Sequence, residues 1–350
     1  MTVADPGQAG CPLPRTETER VLLGHGSGGQ LMAELIDGVI VSELGCAGPL
    51  EDAAVVDVNG TDLVFSTDSF VVTPRFFPGG DIGALAVHGT VNDLAMRGAR
   101  PLALSLAYVL EEGLPLTELR AVTASVAAAA AACGVRVVTG DTKVVDRGAA
   151  DGMYITTTGI GVRLPGATPS AIRGTPGDVV LVSGPIGAHG TAVLCARGDL
   201  GFEAEIRSDT QPLHDLVTVL VDVCGPGLHA LRDPTRGGLA SALNELATAS
   251  RIGIEIEESA VPVPTLVASA CELLGLDPLH VANEGCLVAL VAADAADAAL
   301  TAMRSVPAGA AARRIGHVTE GPSGRVTTRT PIGATRILDM LVGEQLPRIC

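Results

Sequence analysis

The chain has 350 residues, which fits two moderate domains better than one, and its 47% hydrophobic content is ample for two cores. A formal charge of −16 without any Lys/Arg run argues against a nucleic-acid partner, and five Phe, two Tyr and no Trp leave little for stacking on bases. The eight cysteines (Cys11, Cys46, Cys133, Cys195, Cys224, Cys271, Cys286 and Cys350) form no CxxC pair, so neither a zinc site nor a disulfide framework is expected.

Residues 1 to about 20 read as a flexible lead without a hydrophobic period or a signal-peptide pattern. The apolar stretch from Ala121 to Val135 is mostly Ala and too short to span a bilayer, so a soluble, cytoplasmic protein is expected with no membrane partner. GHGSGG (24–29) then feeds a helical pattern at Leu31, Met32, Leu35 and Ile36. Strands are predicted over 53–58 and 62–70, joined by a tight turn at Asn59-Gly60. A helix over 81–97 follows, closed by Gly98, then a strand from Pro101 and a helix from Thr117 to Ala132. Strands are predicted over 135–141 and 153–162. The Pro/Gly-rich stretch 165–177 divides an N-terminal domain (21–165) from a C-terminal one (166–340), followed by a tail (341–350). In the second half, helices fit 187–197, 213–223, 236–249 and 294–304, and strands fit 178–184, 252–257, 285–291 and 313–318. Interleaved strands and helices make both domains α+β or α/β.

Chemistry-bearing residues recur beside these elements. Acidic side chains recur in strand-end contexts at Glu51-Asp52, Asp68, Asn92-Asp93, Asp141 and Asp233. Any one of them suits a turn or a helix cap. Five such sites, converging, would give Mg²⁺ the hard carboxylate oxygens that it takes alongside a triphosphate. GHGSGG offers backbone N–H groups with no Cβ in the way, as a phosphate cradle needs, and equally suits a plain turn; it matches neither the P-loop nor the dinucleotide fingerprint. Lys143 reads either as a solvated strand-end residue or as a cation aimed at phosphate. Glu284 reads either as a structural carboxylate or as a base, and RDPTRGG (232–238) either as an ordinary helix start or as an anion-facing helix N-terminus. The chain closes on QLPRIC. Pro347 keeps this tail extended, the residues from Gly343 onward reach roughly 25 Å, and Cys350 is expected outside the core with Arg348 favouring its thiolate.

Taken together, GHGSGG (24–29), EDAAVV (51–56), STDSFVVTP (66–74), GTVNDLAMRGARPLALS (89–105), TGDTKVV (139–145), DPTRGGLA (233–240), NEG (283–285) and PRIC (347–350) resemble the HypE family of hydrogenase maturation proteins, within the aminoimidazole ribonucleotide synthetase-like superfamily. The resemblance runs in order along nearly the whole chain; the DTK segment and PRIC are its most specific parts. It implies the two-domain superfamily fold with a flexible C-terminal tail, a homodimer paired through its N-terminal halves, and ATP with Mg²⁺ between the domains. The metal role carries over to Asp52, Asp68, Asp93 and Asp233. Nucleotide contacts carry over to Gly26, Gly28, Gly29, Asp68, Asn92, Thr139, Gly140, Asp141 and Asp233. Glu51 departs from the second Asp of many relatives. The implied reaction is ATP-dependent dehydration of a carbamoyl group on Cys350 to a thiocyanate, supplying cyanide for [NiFe] hydrogenase. In that reaction Lys143 faces the phosphoryl group and Glu284 acts as base, with Asp141 as a competitor. The implied partners are a HypF-type carbamoyltransferase as donor and a HypC–HypD complex as acceptor. The alternatives are a selenophosphate synthetase-like enzyme, a small-molecule kinase such as thiamine monophosphate kinase, a non-catalytic nucleotide-binding scaffold, or a thiol redox protein.

Overall fold

The computed structural model describes residues 20–45, 48–198, 205–343 and 349–350. The expected lead up to residue 19, with Cys11, and likewise Cys46, Pro347 and Arg348, lie outside the described residues. The loop at 24–29 opens a helical stretch that runs from Gln30–Leu35 (α1) through a wider turn, Ile36–Val41, into Ser42–Leu44 (α2).

Ala54–Val58 (β1) and Thr61–Phe70 (β2) pair as a hairpin whose loop is Asn59-Gly60. Both loop residues take positive φ, which a two-residue turn of this hand demands. Two short strands, Phe76–Phe77 (β3) and Gly80–Asp81 (β4), precede the helix Ile82–Met96 (α3). The Asp81 carboxylate caps α3 by accepting from the N–H groups of Gly83 and Ala84. Ala99–Glu111 (β5), Leu116–Ala132 (α4), Arg136–Val145 (β6) and Met153–Arg163 (β7) complete a five-stranded sheet of order β1-β2-β7-β5-β6. The predicted strand 135–141 is longer than expected because β5 gives β6 a parallel neighbour as far as Val145. Thr139-Gly140-Asp141 therefore sits inside an edge strand, not at a strand end.

The C-terminal sheet has seven strands. Its elements in chain order are Val179–Val182 (β8), Ala188–Ala196 (α5), His214–Cys224 (α6), Leu228–Arg232 (β9), Gly238–Ser250 (α7), Gly253–Glu257 (β10), Thr265–Leu274 (α8), Val288–Val291 (β11), Ala296–Arg304 (α9), Arg313–Thr319 (β12), Arg325–Arg329 (β13) and Thr335–Ile337 (β14). The strand order is β14-β13-β10-β12-β8-β11-β9. Val180 and Val182 pack with α7 on one face, while Val179 and Leu181 pack with α6 and α9 on the other. Burial on both faces explains the unbroken apolar run of β8. The short strands β9, β13 and β14 and the helix α8 add to the sequence expectation. RVTTR has no apolar alternation, and its strand form comes from parallel pairing with β10. Among the described residues, no helix is long and apolar enough to cross a membrane.

The two sheets meet across a polar seam. The Asn92 side chain, on α3, donates from Nδ2 to the Gln211 carbonyl (3.1 Å) and accepts from the Leu213 N–H (2.8 Å). Arg97 pairs with Glu51 (2.7 Å) and donates to the Pro169 carbonyl (2.9 Å), while Glu51 also accepts from the Ser170 hydroxyl (2.5 Å). Glu51 thus ties the entry to β1 to the inter-sheet segment. Asn92→Leu leaves two buried backbone groups without partners, so it should lower unfolding free energy by about 2–4 kcal/mol, read as a shift in the urea midpoint at constant slope.

Candidate active site

Asp52 precedes β1, Asp93 lies on α3 and Asp233 follows β9, yet their carboxylate oxygens come within 4.8 Å of one another. The seam creates this cluster by setting the N-terminal end of one sheet on the C-terminal end of β9. Arg232 braces it, donating to Asp52 and to Glu245, each at 2.6 Å. The Ser66 hydroxyl donates to Asp93 at 2.6 Å. Burial pushes Asp52 up to about 6, with Arg232 opposing. Burial, then the neighbouring carboxylates Asp233, Asp68 and Asp52, hold Asp93 well above the ordinary carboxylate range. Asp233 is raised in the same way, first by burial and then by Asp52. Clustered oxygen donors that resist ionising together fit a hard divalent cation such as Mg²⁺, which would relieve their repulsion.

Beside the cluster is a cavity of about 160 Å³ lined by Gly28, Asp52, Arg232, Asp233, Arg236 and Gly238. Gly28 has φ +76°, and a Cβ there would strike the Arg236 backbone; a Cβ at Gly29 would strike the Leu341 carbonyl. The glycine loop is thus pressed against the turn that opens α7, and Gly28 and Gly238 line one space. Gly26 closes the preceding turn, with open space around its Cα.

Cys350 and Ile349 are buried, 8% and 3% exposed, in the apolar cluster around Phe70, Ile82 and Met153. This corrects the expectation that Cys350 stays outside the core. The Val71 N–H donates to the Cys350 carbonyl oxygen at 3.2 Å. Burial pushes the thiol up to about 12; Arg236 opposes this, and Glu284, Asp68 and Asp233 add to it. The Arg236 guanidinium is held charged by Cys350 foremost, then by Asp68 and Glu284 against its burial. Arg236 is therefore the cation beside the sulfur within the described residues. Glu284 is 3% exposed, its Oε1 has no hydrogen-bond partner, and burial with Asp233 and Asp68 raises it well above the ordinary range. A buried carboxylate held in that way is a strong proton acceptor once ionised.

Asp209 positions Glu284. Its carboxylate accepts from the Glu284 N–H (3.2 Å) and the Gly285 N–H (3.1 Å). Arg232, Glu245, Arg236, Ser66 and Asp209 were not singled out in the sequence. The two arginines flank Asp233 in RDPTRGG, a signal that was available. Asp209, in SDTQPL, has no sequence mark, since its role depends on packing against residues 75 positions away.

Other candidates stand elsewhere. Asp68 lies outside the three-carboxylate cluster and interacts electrostatically with Asp93, Arg236 and Cys350. Asn92 was expected to face a nucleotide, but both ends of its carboxamide are held by the seam. Cross-strand register puts Asp68, Thr157, Leu106 and Gly140 on the face of the five-stranded sheet that packs on α3. Thr139, Asp141 and Lys143 fall on the opposite face. There Lys143 Nζ pairs with Asp141 at 2.5 Å, the two side chains being 68% and 62% exposed, and this pairing holds Asp141 below its ordinary value. Within one chain the structure does not bring Lys143 and Asp141 to the carboxylate cluster. A Cβ at Gly140 would meet the Leu106 carbonyl, so close strand approach accounts for that glycine.

Known proteins are similar to this chain in sequence and fold. Residues 50–163 match the family model of the AIR synthase related protein, N-terminal domain, and residues 175–329 match that of the C-terminal domain. The carbamoyl dehydratase HypE of Cupriavidus necator is 51% identical over 334 residues, covering 95% of this chain and 95% of its own length. The chain belongs to the HypE family. A solved HypE–HypF complex superposes with a TM-score of 0.83 at 47% identity, covering 88% of this chain and 99% of that one. A HypE solved in complex with ATP superposes at 0.80 with 48% identity, covering 95% and 100%. The HypE fold, two AIR synthase-type halves, is thus the fold of this chain.

The carboxylate cluster carries a stability cost whose sign is fixed by its shifts. Groups raised above their unfolded values favour folding fully at low pH, and that contribution is lost as pH rises from about 4 through about 6 and beyond. Asp93→Asn should therefore melt about 2–4 °C higher than the unchanged protein at pH 8 in EDTA. It should also lose the further rise that Mg²⁺ gives the unchanged protein. Calorimetric scans with EDTA and with Mg²⁺ check both halves.

Proposed function

We propose that this protein uses ATP to dehydrate a carbamoyl group carried on Cys350, leaving a thiocyanate for hydrogenase maturation. The observation that carries the reading is the burial of Cys350 beside Glu284 and Arg236, with Arg236 also lining a cavity walled by Gly28 and by Asp52 and Asp233 of the carboxylate cluster. A thiol meant for redox exchange or for metal capture would need access and an easily formed thiolate; this one has neither.

The chemistry follows from the residues. A carbamoyl oxygen is a poor leaving group, and transfer of the terminal phosphoryl group of ATP to it makes it a good one. Asp52, Asp93 and Asp233 would hold Mg²⁺, which supplies charge neutralisation on the phosphates. The nitrogen loses its two protons, Glu284 being the base that faces the sulfur, and the C–O bond breaks as phosphate departs. The balance is one carbamoyl thioester and one ATP giving one thiocyanate, ADP, phosphate and a proton. Arg236 steadies the negative charge that builds beside the sulfur. Asp141 is the weaker candidate base, since its carboxylate is exposed and held acidic by Lys143.

Lys143 enters through a homodimer. The outer face of the five-stranded sheet exposes Val56, Phe65 and Ile160 at 49%, 46% and 40%, an apolar patch that asks for a cover. In a pair formed there, Thr139, Asp141 and Lys143 serve the neighbouring protomer's nucleotide rather than their own. Phe65→Asp should convert a dimer to a monomer in light scattering; an unchanged mass would put the dimer contact elsewhere. The donor would be a HypF-type carbamoyltransferase, as the solved HypE–HypF complex suggests, and the cyanide acceptor a HypC–HypD complex.

The deciding experiment is mass spectrometry of the C-terminal peptide after incubation with the carbamoyl-donating partner. Cys350 should gain a carbamoyl group, then lose one water only when Mg²⁺ and ATP are added. A peptide that stays unmodified beside a demonstrably active donor rules this function out.

A further inference from the structure

His189, on α5, is fully buried, and no step of the proposed reaction uses it. Its ring bridges two elements. Nε2 lies 2.9 Å from the Ile349 carbonyl oxygen and Nδ1 lies 2.8 Å from the Ser208 hydroxyl. The partners fix the tautomer. A carbonyl only accepts, so Nε2 carries the proton. The Thr210 N–H already donates to the Ser208 oxygen at 3.1 Å, which leaves the Ser208 O–H to donate to Nδ1. Burial pushes the imidazole down to about 4, so the ring is neutral at physiological pH, in agreement with that assignment. Phe77 meets the ring edge-on, with centroids 5.4 Å apart, and sets its plane.

The same histidine is tied to Glu284 through the backbone. The Asp209 carboxylate accepts from the N–H groups of His189, Glu284 and Gly285. One buried acid therefore sets the base and the holder of the chain end relative to each other. The Ile349 side chain fills the apolar cluster with Phe70, Phe77 and Val193, and the Val71 N–H holds the Cys350 carbonyl.

We propose that His189 is the positioning residue that docks the chain end, its Nε2–H gripping the Ile349 carbonyl so that the Cys350 sulfur is presented to Glu284. The grip rests on the reading of Cys350 as the group carrier only for its purpose; the docking itself is a property of the free protein. Without the donor, a buried carbonyl is left unpaired and the docked state loses population.

Iodoacetamide labelling of the full-length protein at pH 8, followed peptide by peptide, reads that population, because the docked thiol is shielded. His189→Asn, which keeps an acceptor towards Ser208 but cannot reach Ile349, should label Cys350 about ten-fold faster than the unchanged protein. His189→Gln, whose amide N–H₂ reaches the Nε2 position, should label at nearly the unchanged rate. Ser208→Ala keeps the ring but frees its tautomer, and should label several-fold faster. Cys271 and Cys286, both buried, report whether the fold is intact. If His189→Asn also exposes those two, Ser208→Ala decides alone. Unchanged Cys350 labelling in Ser208→Ala, or labelling in His189→Gln as fast as in His189→Asn, overturns the proposal. Labelling needs neither ATP nor donor, so a failure of the dehydration reaction leaves this result standing and separately readable.

Discussion

The ion pair between Arg232 and Asp52 is the contact on which the site depends. Arg232 ends β9 in the C-terminal sheet and Asp52 enters β1 of the N-terminal one, and both side chains are about nine-tenths buried. A buried pair of this kind adds little net stability over an apolar contact, but removal of either partner leaves an uncompensated charge at a cost of about 3–5 kcal/mol. Its geometry also fixes where Asp233, the next residue along the chain, meets Asp93. The seam between the sheets and the carboxylate cluster are thus one construction, and the Asn92 and Glu51 contacts hold the same two surfaces in register.

The cluster stores unfavourable electrostatics that the fold must outweigh. Burial and mutual repulsion raise Asp93, Asp233 and Glu284 together, while the nearby positive charge of Arg232 and Arg236 falls short of neutralising them. Such an excess of buried acid is a poor way to make a stable protein and a good way to attract a divalent cation with its anionic ligand. The sulfur of Cys350 sits within that field, where Arg236 opposes the carboxylates Glu284, Asp68 and Asp233.

The five-stranded sheet divides the labour between its faces. The face towards α3 carries Asp68 and the hydroxyls that tie β7 to the helix, while the opposite face carries Thr139, Asp141 and Lys143. Residues two apart in a strand share a face, whereas neighbours do not. The segment TGDTK therefore presents Thr139, Asp141 and Lys143 away from the cavity of its own chain.

The sequence by itself determined the order and type of most elements, since apolar periodicity, the Asn59-Gly60 turn and the Asp81 cap act over a few residues. It also marked Asp52, Asp93, Asp233, Glu284 and Cys350, because lone acids at the ends of apolar elements and a cysteine after Pro-Arg-Ile stand out from their surroundings. Only the tertiary structure decided which of these meet. It gathered three acids from residues 52, 93 and 233, buried the cysteine that local composition left outside the core, and sent Lys143 to the far side of a sheet. It also recruited Asp209 and His189, whose sequence neighbourhoods carry no sign of their task. The physical reason is that burial, like-charge repulsion and hydrogen-bond completion are set by through-space neighbours, which for these residues lie 27 to 192 positions away along the chain.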